Sequence, residues 1–151
     1  MSKNMPGGVS AAVDLQIPFH DMDPTGVVWH GRYFKYFERA REALMHELDY
    51  SYPQMRASGY VFPVVDAQVR YVRPLRLGQS CRVTAVLQEW ELRLVVQYRI
   101  EDMAGETCTR GKTVQVAVKA ADWSLQIGCP QELQDRVRSR MAEIRPEGAT
   151  E

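Results

Sequence analysis

The sequence lacks an excess of charge of either sign, because its 151 residues include 19 Lys and Arg against 19 Asp and Glu. A chain without net charge has no long-range field to attract nucleic acid or an anionic membrane surface. Sequence-independent binding to nucleic acid is therefore not expected.

Cysteines are few and apolar runs are short. The three cysteines, Cys81, Cys108 and Cys129, form no CxxC pair, which argues against a disulfide framework and favours the reducing cytoplasm. No stretch approaches the ~18 apolar residues of a membrane span, and the first residues lack the apolar core of a signal peptide. We therefore expect a cytoplasmic chain with no membrane span.

The length of the chain predicts one domain, and 45% hydrophobic residues are enough to build a buried core. The two ends are polar and contain glycine and proline, as is typical of frayed termini. We expect a flexible N-terminus over residues 1–11, a single domain over 12–143 and a flexible tail over 144–151.

Alternation of apolar and polar residues predicts strands, because successive side chains of a strand face opposite sides of a sheet. It is found from Val13 to Phe19, where the strand is expected to end near Pro18, from Tyr60 to Val72, from Gln79 onward, from Glu91 onward and from Thr107 to Ala120. The last three of these segments are expected to form a meander.

Helical spacing of apolar residues predicts one long helix after the first strand, with Gly31 as its N-cap. Residues 49–59 are expected to be a connection, and a short final helix is predicted with Pro130 at its first position. One early helix followed by strands favours an α+β fold, in which an antiparallel sheet wraps around the helix. The apolar positions of the two helices are Tyr33, Phe37, Ala40, Leu44 and Leu48, then Leu133, Val137 and Met141.

The stretch before the long helix has the residues of a reactive site. Asp23 stands in a short loop with Pro24, whose φ is fixed, and Gly26, which can take backbone angles closed to other residues. The His30-Gly31 pair then leads into the helix, whose first N–H groups are unpaired and favour negative charge. Attack on a carbonyl suits this arrangement, because fixed N–H donors stabilise the developing oxyanion.

This stretch resembles the active-site signature of the hot-dog-fold acyl-CoA thioesterases, the family of 4-hydroxybenzoyl-CoA thioesterase and its YbgC-like relatives. A weaker likeness extends over about residues 13 to 120 and includes the run from Tyr71 to Gly78. The residues that match the signature are Asp21, Asp23, Gly26, Val27, Val28, Trp29, His30 and Tyr33, followed by Glu38, Arg39, Ala40 and Arg41. Pro24 and Trp29 are similar to the aromatic-acyl branch, and His30 is similar to the YbgC-like branch.

The resemblance implies a hot-dog fold and hydrolysis of an acyl-CoA thioester, with Asp23 as nucleophile or general base. His30 and Gly31 would complete the catalytic group, since a backbone N–H at the start of the helix polarises the thioester in that family. Trp29 and Tyr33 are expected to bind substrate, although Tyr33 also suits the core. Arg73 and Arg76, with Arg70, suit coenzyme A phosphates or a solvated strand end.

The resemblance also implies a homodimer or a dimer of dimers, including a homotetramer, with sites built across the subunit interface. No cofactor and no bound metal are expected, because coenzyme A enters as part of the substrate. The carbonyl could instead come from a thioester of acyl carrier protein.

Two alternative functions remain open for the same stretch. Asp21, Asp23, Thr25, Gly26 and Val28 match EF-hand calcium-loop positions 1, 3, 5, 6 and 8, but Arg32 stands where the bidentate Glu should be. A non-catalytic hot-dog protein that only binds a ligand, or a dehydratase-like relative, is the second alternative.

Overall fold

Three helices and seven strands make up residues 8–144, the part of the chain that the computed structural model describes. The helices are α1 Tyr33–Glu47, α2 Tyr52–Ala57 and α3 Gln131–Ile144. The strands are β1 Ser10–Gln16, β2 Tyr60–Val61, β3 Val64–Tyr71, β4 Ser80–Glu89, β5 Leu94–Asp102, β6 Thr107–Gln115 and β7 Val118–Lys119. Five strands form an antiparallel sheet in the order β1-β4-β5-β6-β3, while β2 pairs with β7.

The core lies between α1 and the inner face of this sheet. The apolar stripe of α1 is buried as its spacing predicted, and the alternating residues of β4 and β5 face it. The expected α+β fold, a sheet around a long helix, is therefore confirmed. The buried side chains at these positions are Phe37, Ala40 and Leu44 of α1, Cys81, Val83, Ala85 and Leu87 of β4, and Leu94, Val96, Tyr98 and Ile100 of β5.

The first predicted strand ends close to Pro18, as expected, but Phe19 is not on its buried side. β1 ends at Gln16, and Phe19 lies in a short 3-10 helix, Phe19–Asp21, with 77% of its surface exposed. Pro18 has no N–H to donate to a sheet ladder, so the chain leaves the sheet there.

Two other predicted strands are each divided in two. The segment predicted over residues 60–72 breaks at Phe62-Pro63 into β2 and β3, and the segment from Thr107 breaks after Gln115 into β6 and β7. The breaks allow β2 and β7 to pair with each other, away from the main sheet. The strand predicted from Glu91 begins only at Leu94, which leaves Leu92 67% exposed.

The helix boundaries also differ from expectation at two places. Gly31 is not the N-cap of α1, because a 3-10 helix, His30–Arg32, leads directly into it. The predicted connection over residues 49–59 contains α2, whose start is fixed by the Ser51 N–H donating to Gln54 Oε1 at 2.8 Å. A Ser with Gln three residues later is a capping box.

The final helix begins directly after Pro130, one residue later than predicted, and it buries Leu133 and Val137 of the predicted stripe, whereas Met141 is 36% exposed. Strand β1 begins at Ser10, two positions inside the predicted flexible N-terminus. The remaining predicted flexible residues, 1–7 and 145–151, lie outside the described residues. No helix in residues 8–144 is both long and apolar enough to cross a membrane.

Candidate active site

A tight loop before α1 holds the carboxylate of Asp23. The chain folds back on itself between Met22 and Val28, and the Asp23 N–H donates to the Val27 carbonyl at 2.8 Å. Gly26 has a φ of +88°, a conformation that strains residues other than glycine, in agreement with the turn predicted there. Asp23 Oδ1 accepts hydrogen bonds from the Thr25 N–H at 2.8 Å and the Thr25 hydroxyl at 2.5 Å.

These hydrogen bonds keep Asp23 ionised. The Thr25 hydroxyl is the largest cause, and together with the N–H groups of Thr25 and Val27 and the nearby His30 it lowers the pKa of Asp23. Partial burial acts in the opposite direction but is outweighed. Donors aimed at a carboxylate favour its charged form, so the Asp23 side chain carries a negative charge at neutral pH.

The 3-10 helix that leads into α1 presents free N–H donors beside this loop. The N–H of Trp29 donates to the Asp21 carbonyl and that of Arg32 donates to the Trp29 carbonyl, both at 2.9 Å. Between them, the N–H groups of His30 and Gly31 have no acceptor among residues 8–144. Unpaired N–H groups at the start of a helix are suited to bind an oxyanion.

The side chain of Trp29 packs closely against Gly31. A Cβ at Gly31 would overlap the indole ring of Trp29, whose Cζ2 atom would lie only 2.9 Å away. The Trp29 ring, 51% exposed, also contacts the His30 ring with a centroid distance of 5.2 Å. Because glycine has no side chain, position 31 leaves room for the indole ring of Trp29.

A cleft of about 250 Å³ joins the carboxylate to this helix start. One side is the Asp23 loop and His30, and the other is formed by Tyr71 and the residues that follow β3. The side chains that line it are Asp23, Val27, Val28, His30, Tyr33, Tyr71, Val72, Arg73 and Pro74.

The cleft contains some of the residues expected at the site. Asp23, His30, Tyr33 and Arg73 line it, whereas Trp29 and Gly31 are not among the lining residues. Tyr33 is buried, and its hydroxyl accepts a hydrogen bond from the Leu75 N–H at 3.3 Å. Tyr33 thus belongs to the cleft wall as well as to the core.

The two arginines expected to bind substrate are placed differently. Arg73 lines the cleft, and its guanidinium pairs with Glu106 at 3.3 Å across exposed surface. Arg76 is exposed outside the cleft lining, where its backbone pairs with Val27. Its substrate contact remains a prediction.

Tyr71 is the site residue that sequence reasoning did not single out. Its hydroxyl donates to the His30 carbonyl at 2.6 Å, and its ring meets that of Tyr33 edge to face at 4.8 Å. Tyr71 therefore fixes the peptide that carries the Gly31 N–H. Only the pairing of β3 at the sheet edge brings it there, and no local pattern signals that contact.

Asp21 has a different role from Asp23. Its side chain is buried, where it accepts a hydrogen bond from the Tyr36 hydroxyl at 2.6 Å and pairs with Arg32 Nε at 2.9 Å. It therefore ties the loop to α1. A carboxylate committed to these partners does not suit the first ligand position of a calcium loop.

Other reactive groups are poor candidates for this chemistry. The described residues hold no group of three or more His, Cys, Asp or Glu side chains placed to bind a metal. Burial raises the pKa of Cys81 to about 12 and that of Cys129 to about 11, so neither is a thiolate at neutral pH. The carboxylate beside free amides is the arrangement that can attack a carbonyl.

Comparison with known proteins points to one family. The model of the thioesterase-like superfamily matches residues 17–146. The Synechocystis sp. protein sll0410 is 32% identical over 125 residues, which cover 82% of this chain and 75% of that protein. The acyl-CoA thioester hydrolase YbgC of Escherichia coli O6:H1 is 26% identical over 105 residues, covering 69% of this chain and 78% of YbgC.

A solved structure supports the same relationship. The DHNA-CoA thioesterase from Staphylococcus aureus superposes with a TM-score of 0.79 at 26% sequence identity, covering 94% of this chain and 97% of that one. The expected hot-dog fold is confirmed by this match.

Proposed function

The chain belongs to the thioesterase-like superfamily, and we propose that it hydrolyses an acyl-CoA thioester to the free acid and coenzyme A with Asp23 as the reacting carboxylate. One observation carries the proposal. The Asp23 carboxylate, kept ionised by Thr25, shares a cleft with the start of α1, where the N–H groups of His30 and Gly31 are free.

The free amides supply the electrostatic part of the reaction. The thioester carbonyl oxygen would accept a hydrogen bond from the N–H of His30 or Gly31, and the negative charge that develops on it would be met by fixed donors. Such donors need no reorganisation as the charge grows. Tyr71, which bonds the His30 carbonyl, would hold this peptide in place during the reaction.

Asp23 supplies the attack by one of two routes. In the first it adds to the carbonyl carbon and expels the coenzyme A thiolate, and water then hydrolyses the mixed anhydride and restores the carboxylate. In the second it takes a proton from a water molecule that adds to the carbonyl, and the tetrahedral intermediate expels the thiolate. Neither route needs a strong general acid, because a thiol with a pKa of about 8.5 leaves readily as thiolate.

The other residues expected at the site are assigned supporting roles. His30 would contact the acyl group or orient the loop, and Trp29 would shield the amides from water. Arg73 and Arg76 would meet the phosphates of coenzyme A, because guanidinium groups suit phosphate geometry. The reaction requires no cofactor and no metal ion in this proposal.

The assembly we propose is a homodimer or a dimer of dimers. Strand β3 is a sheet edge with unpaired backbone groups, and its side chains Val64 and Val65 are 45% and 58% exposed. Pairing with the β3 strand of a second copy would remove this exposed edge. Sedimentation velocity should give the mass of a dimer or a tetramer, and a monomer at micromolar concentration would contradict the proposal.

The three cysteines support a cytoplasmic location. All of them, Cys81, Cys108 and Cys129, are free and buried in the described structure. Free thiols in a chain of this size are typical of a reducing compartment.

The activity is tested by thiol release from thioesters of short, long and aromatic acyl groups, on both coenzyme A and acyl carrier protein. A coloured thiol reagent reads the rate for the purified chain. Turnover of acyl-CoA is expected. Absence of hydrolysis with every thioester would contradict the proposal. Cleavage of carrier-protein thioesters alone would show that acyl carrier protein, and not coenzyme A, carries the acyl group of the substrate.

A change at Thr25 should move the pH profile in a defined direction. In Thr25→Val the carboxylate loses the hydroxyl that does most to lower its pKa, so the pKa of Asp23 should rise toward the ordinary value of 3.8. The acid limb of kcat/KM should therefore shift to higher pH, with little change at neutral pH, as measured over a pH series at constant ionic strength. Thr84→Val, in β4, serves as the control. An acid limb that stays in place or moves lower would contradict the assigned role of Asp23.

A further inference from the structure

The sheet extends beyond the helix that covers it. Helix α1 packs across β1, β4 and β5, while β3 is left largely open. In β6 and β3, Gly111 is paired with Val69 and Thr109 with Tyr71. Paired residues share a face, and Gly111 lies under the Phe37 ring of α1. The open inner face of β3 thus forms a groove beside α1 that begins at the catalytic cleft.

A buried cation lies beside this groove, farther along α1. Arg41 is only 6% exposed, and its Nη1 donates to the Tyr98 hydroxyl at 3.1 Å. Tyr98 in turn shares a 2.7 Å hydrogen bond with Thr113 on β6. The tip of Arg41 is therefore held over the middle of the sheet, away from solvent.

The charge of Arg41 lacks a close counterion. The ion-pair partner that the structure gives it is Glu38, at 4.0 Å and with 53% of its side chain exposed. Arg41 Nε has no hydrogen-bond partner within the described residues. Burial disfavours the charge of a guanidinium that is paired so weakly, and a ligand anion would offset this effect.

Tyr52 connects Arg41 to a second cleft. The Tyr52 hydroxyl is a second neighbour of the guanidinium. Tyr52 also lines an apolar cleft of about 290 Å³, together with Met55, Phe62, Pro63 and Trp123. This cleft lies at the Val64 end of β3 and the catalytic cleft at its Tyr71 end. A chain that followed the open face of β3 from the catalytic cleft would therefore pass Arg41, which lies level with the middle of β3, before it reached this second cleft.

We propose that Arg41 binds a carboxylate at the end of the acyl group remote from the thioester, so that the preferred substrates are ω-carboxyacyl thioesters of coenzyme A. This inference rests on the proposed thioesterase activity and specifies its acyl group. Helical rise puts Arg41 about 12 Å beyond Tyr33, and arginine points back toward the start of the helix, which suits an acyl group of about eight to ten carbons.

The test compares kcat/KM for suberoyl- and sebacoyl-CoA with that for octanoyl- and decanoyl-CoA. The wild type should prefer the carboxylate-terminated substrate of each pair. In Arg41→Met the ratio should fall about ten- to a hundredfold, since a charge-assisted hydrogen bond is lost only with the carboxylated acyl group. Arg41→Lys, which keeps the charge, should retain part of the preference.

Arg39→Met is the matched control, because Arg39 lies on the exposed face of the same helix and should leave the ratio unchanged. Thermal unfolding and sedimentation of each variant accompany the kinetics. A wild type that cleaves all four substrates without preference, or an Arg41→Met variant that slows all four equally, would overturn the inference while leaving the thioesterase intact. A change in the ratio that occurs only in variants whose subunits dissociate would also overturn the inference. A wild type that cleaves none of them or any other thioester would instead overturn the proposed function.

Discussion

Asp23→Asn should lower kcat for thioester hydrolysis by about a thousandfold or more, with the fold unchanged. The amide has nearly the same shape as the carboxylate and can still accept the two hydrogen bonds from Thr25. It can neither attack the carbonyl nor take a proton from water, so both routes of the reaction are blocked. Steady-state thiol release measures the loss, and KM should change far less than kcat.

A second aspartate provides the control for this prediction. Asp14 is an exposed carboxylate that pairs with Arg82 on the neighbouring strand, away from the cleft. Asp14→Asn should retain wild-type kcat. If Asp23→Asn is folded by circular dichroism and still hydrolyses thioesters at the wild-type rate, Asp23 is not the reacting group.

Gly111→Val should destabilise the domain by about 2–3 kcal/mol, because it inserts a branched side chain where helix and sheet are in contact. A Cβ at Gly111 would overlap the Phe37 ring and would lie 3.2 Å from the Gln68 carbonyl oxygen. The ring has no room to move away, since it is fully buried and stacked on Tyr98 with a centroid distance of 4.5 Å. Urea unfolding followed by tryptophan fluorescence measures the change.

Two further variants test the cause of this loss. Arg110→Val makes a similar change one residue earlier, on the exposed face of β6, and should alter stability by less than about 0.5 kcal/mol. Adding Phe37→Leu to Gly111→Val should cost less than the sum of the two single changes, since the smaller side chain relieves the overlap. A Gly111→Val variant as stable as the wild type would show that α1 and β6 are not in contact there.

The elements that the sequence predicted best are those with one clearly apolar face. The stripe that includes Phe37 and Leu44 predicted α1, and the alternation in β4 and β5 predicted their buried residues, because burial against one core determines both patterns. β3 alternates as well but remains mostly exposed, since its inner face lies beyond the helix. Alternation alone does not reveal which strand will lie at an uncovered edge.

In the site, too, the residues with local contacts could be predicted from the sequence, whereas those with distant contacts could not. Asp23, Gly26 and the start of α1 are close in sequence, and turn chemistry was enough to place a carboxylate beside free amides. Tyr71 and Arg41 gain their roles from contacts 41 and 57 residues away along the chain. Such contacts follow from sheet topology, which the pattern of a single segment does not contain.

A crystal structure with an acyl-CoA analogue in which a methylene group replaces the thioester sulfur tests the central claim most directly. The analogue keeps the carbonyl but is not hydrolysed. Its carbonyl oxygen is expected about 2.7–3.1 Å from the amide nitrogen of His30 or Gly31, with the carbonyl carbon facing the Asp23 carboxylate directly or through one water. A carbonyl bound away from both the Asp23 carboxylate and these amides would contradict the account.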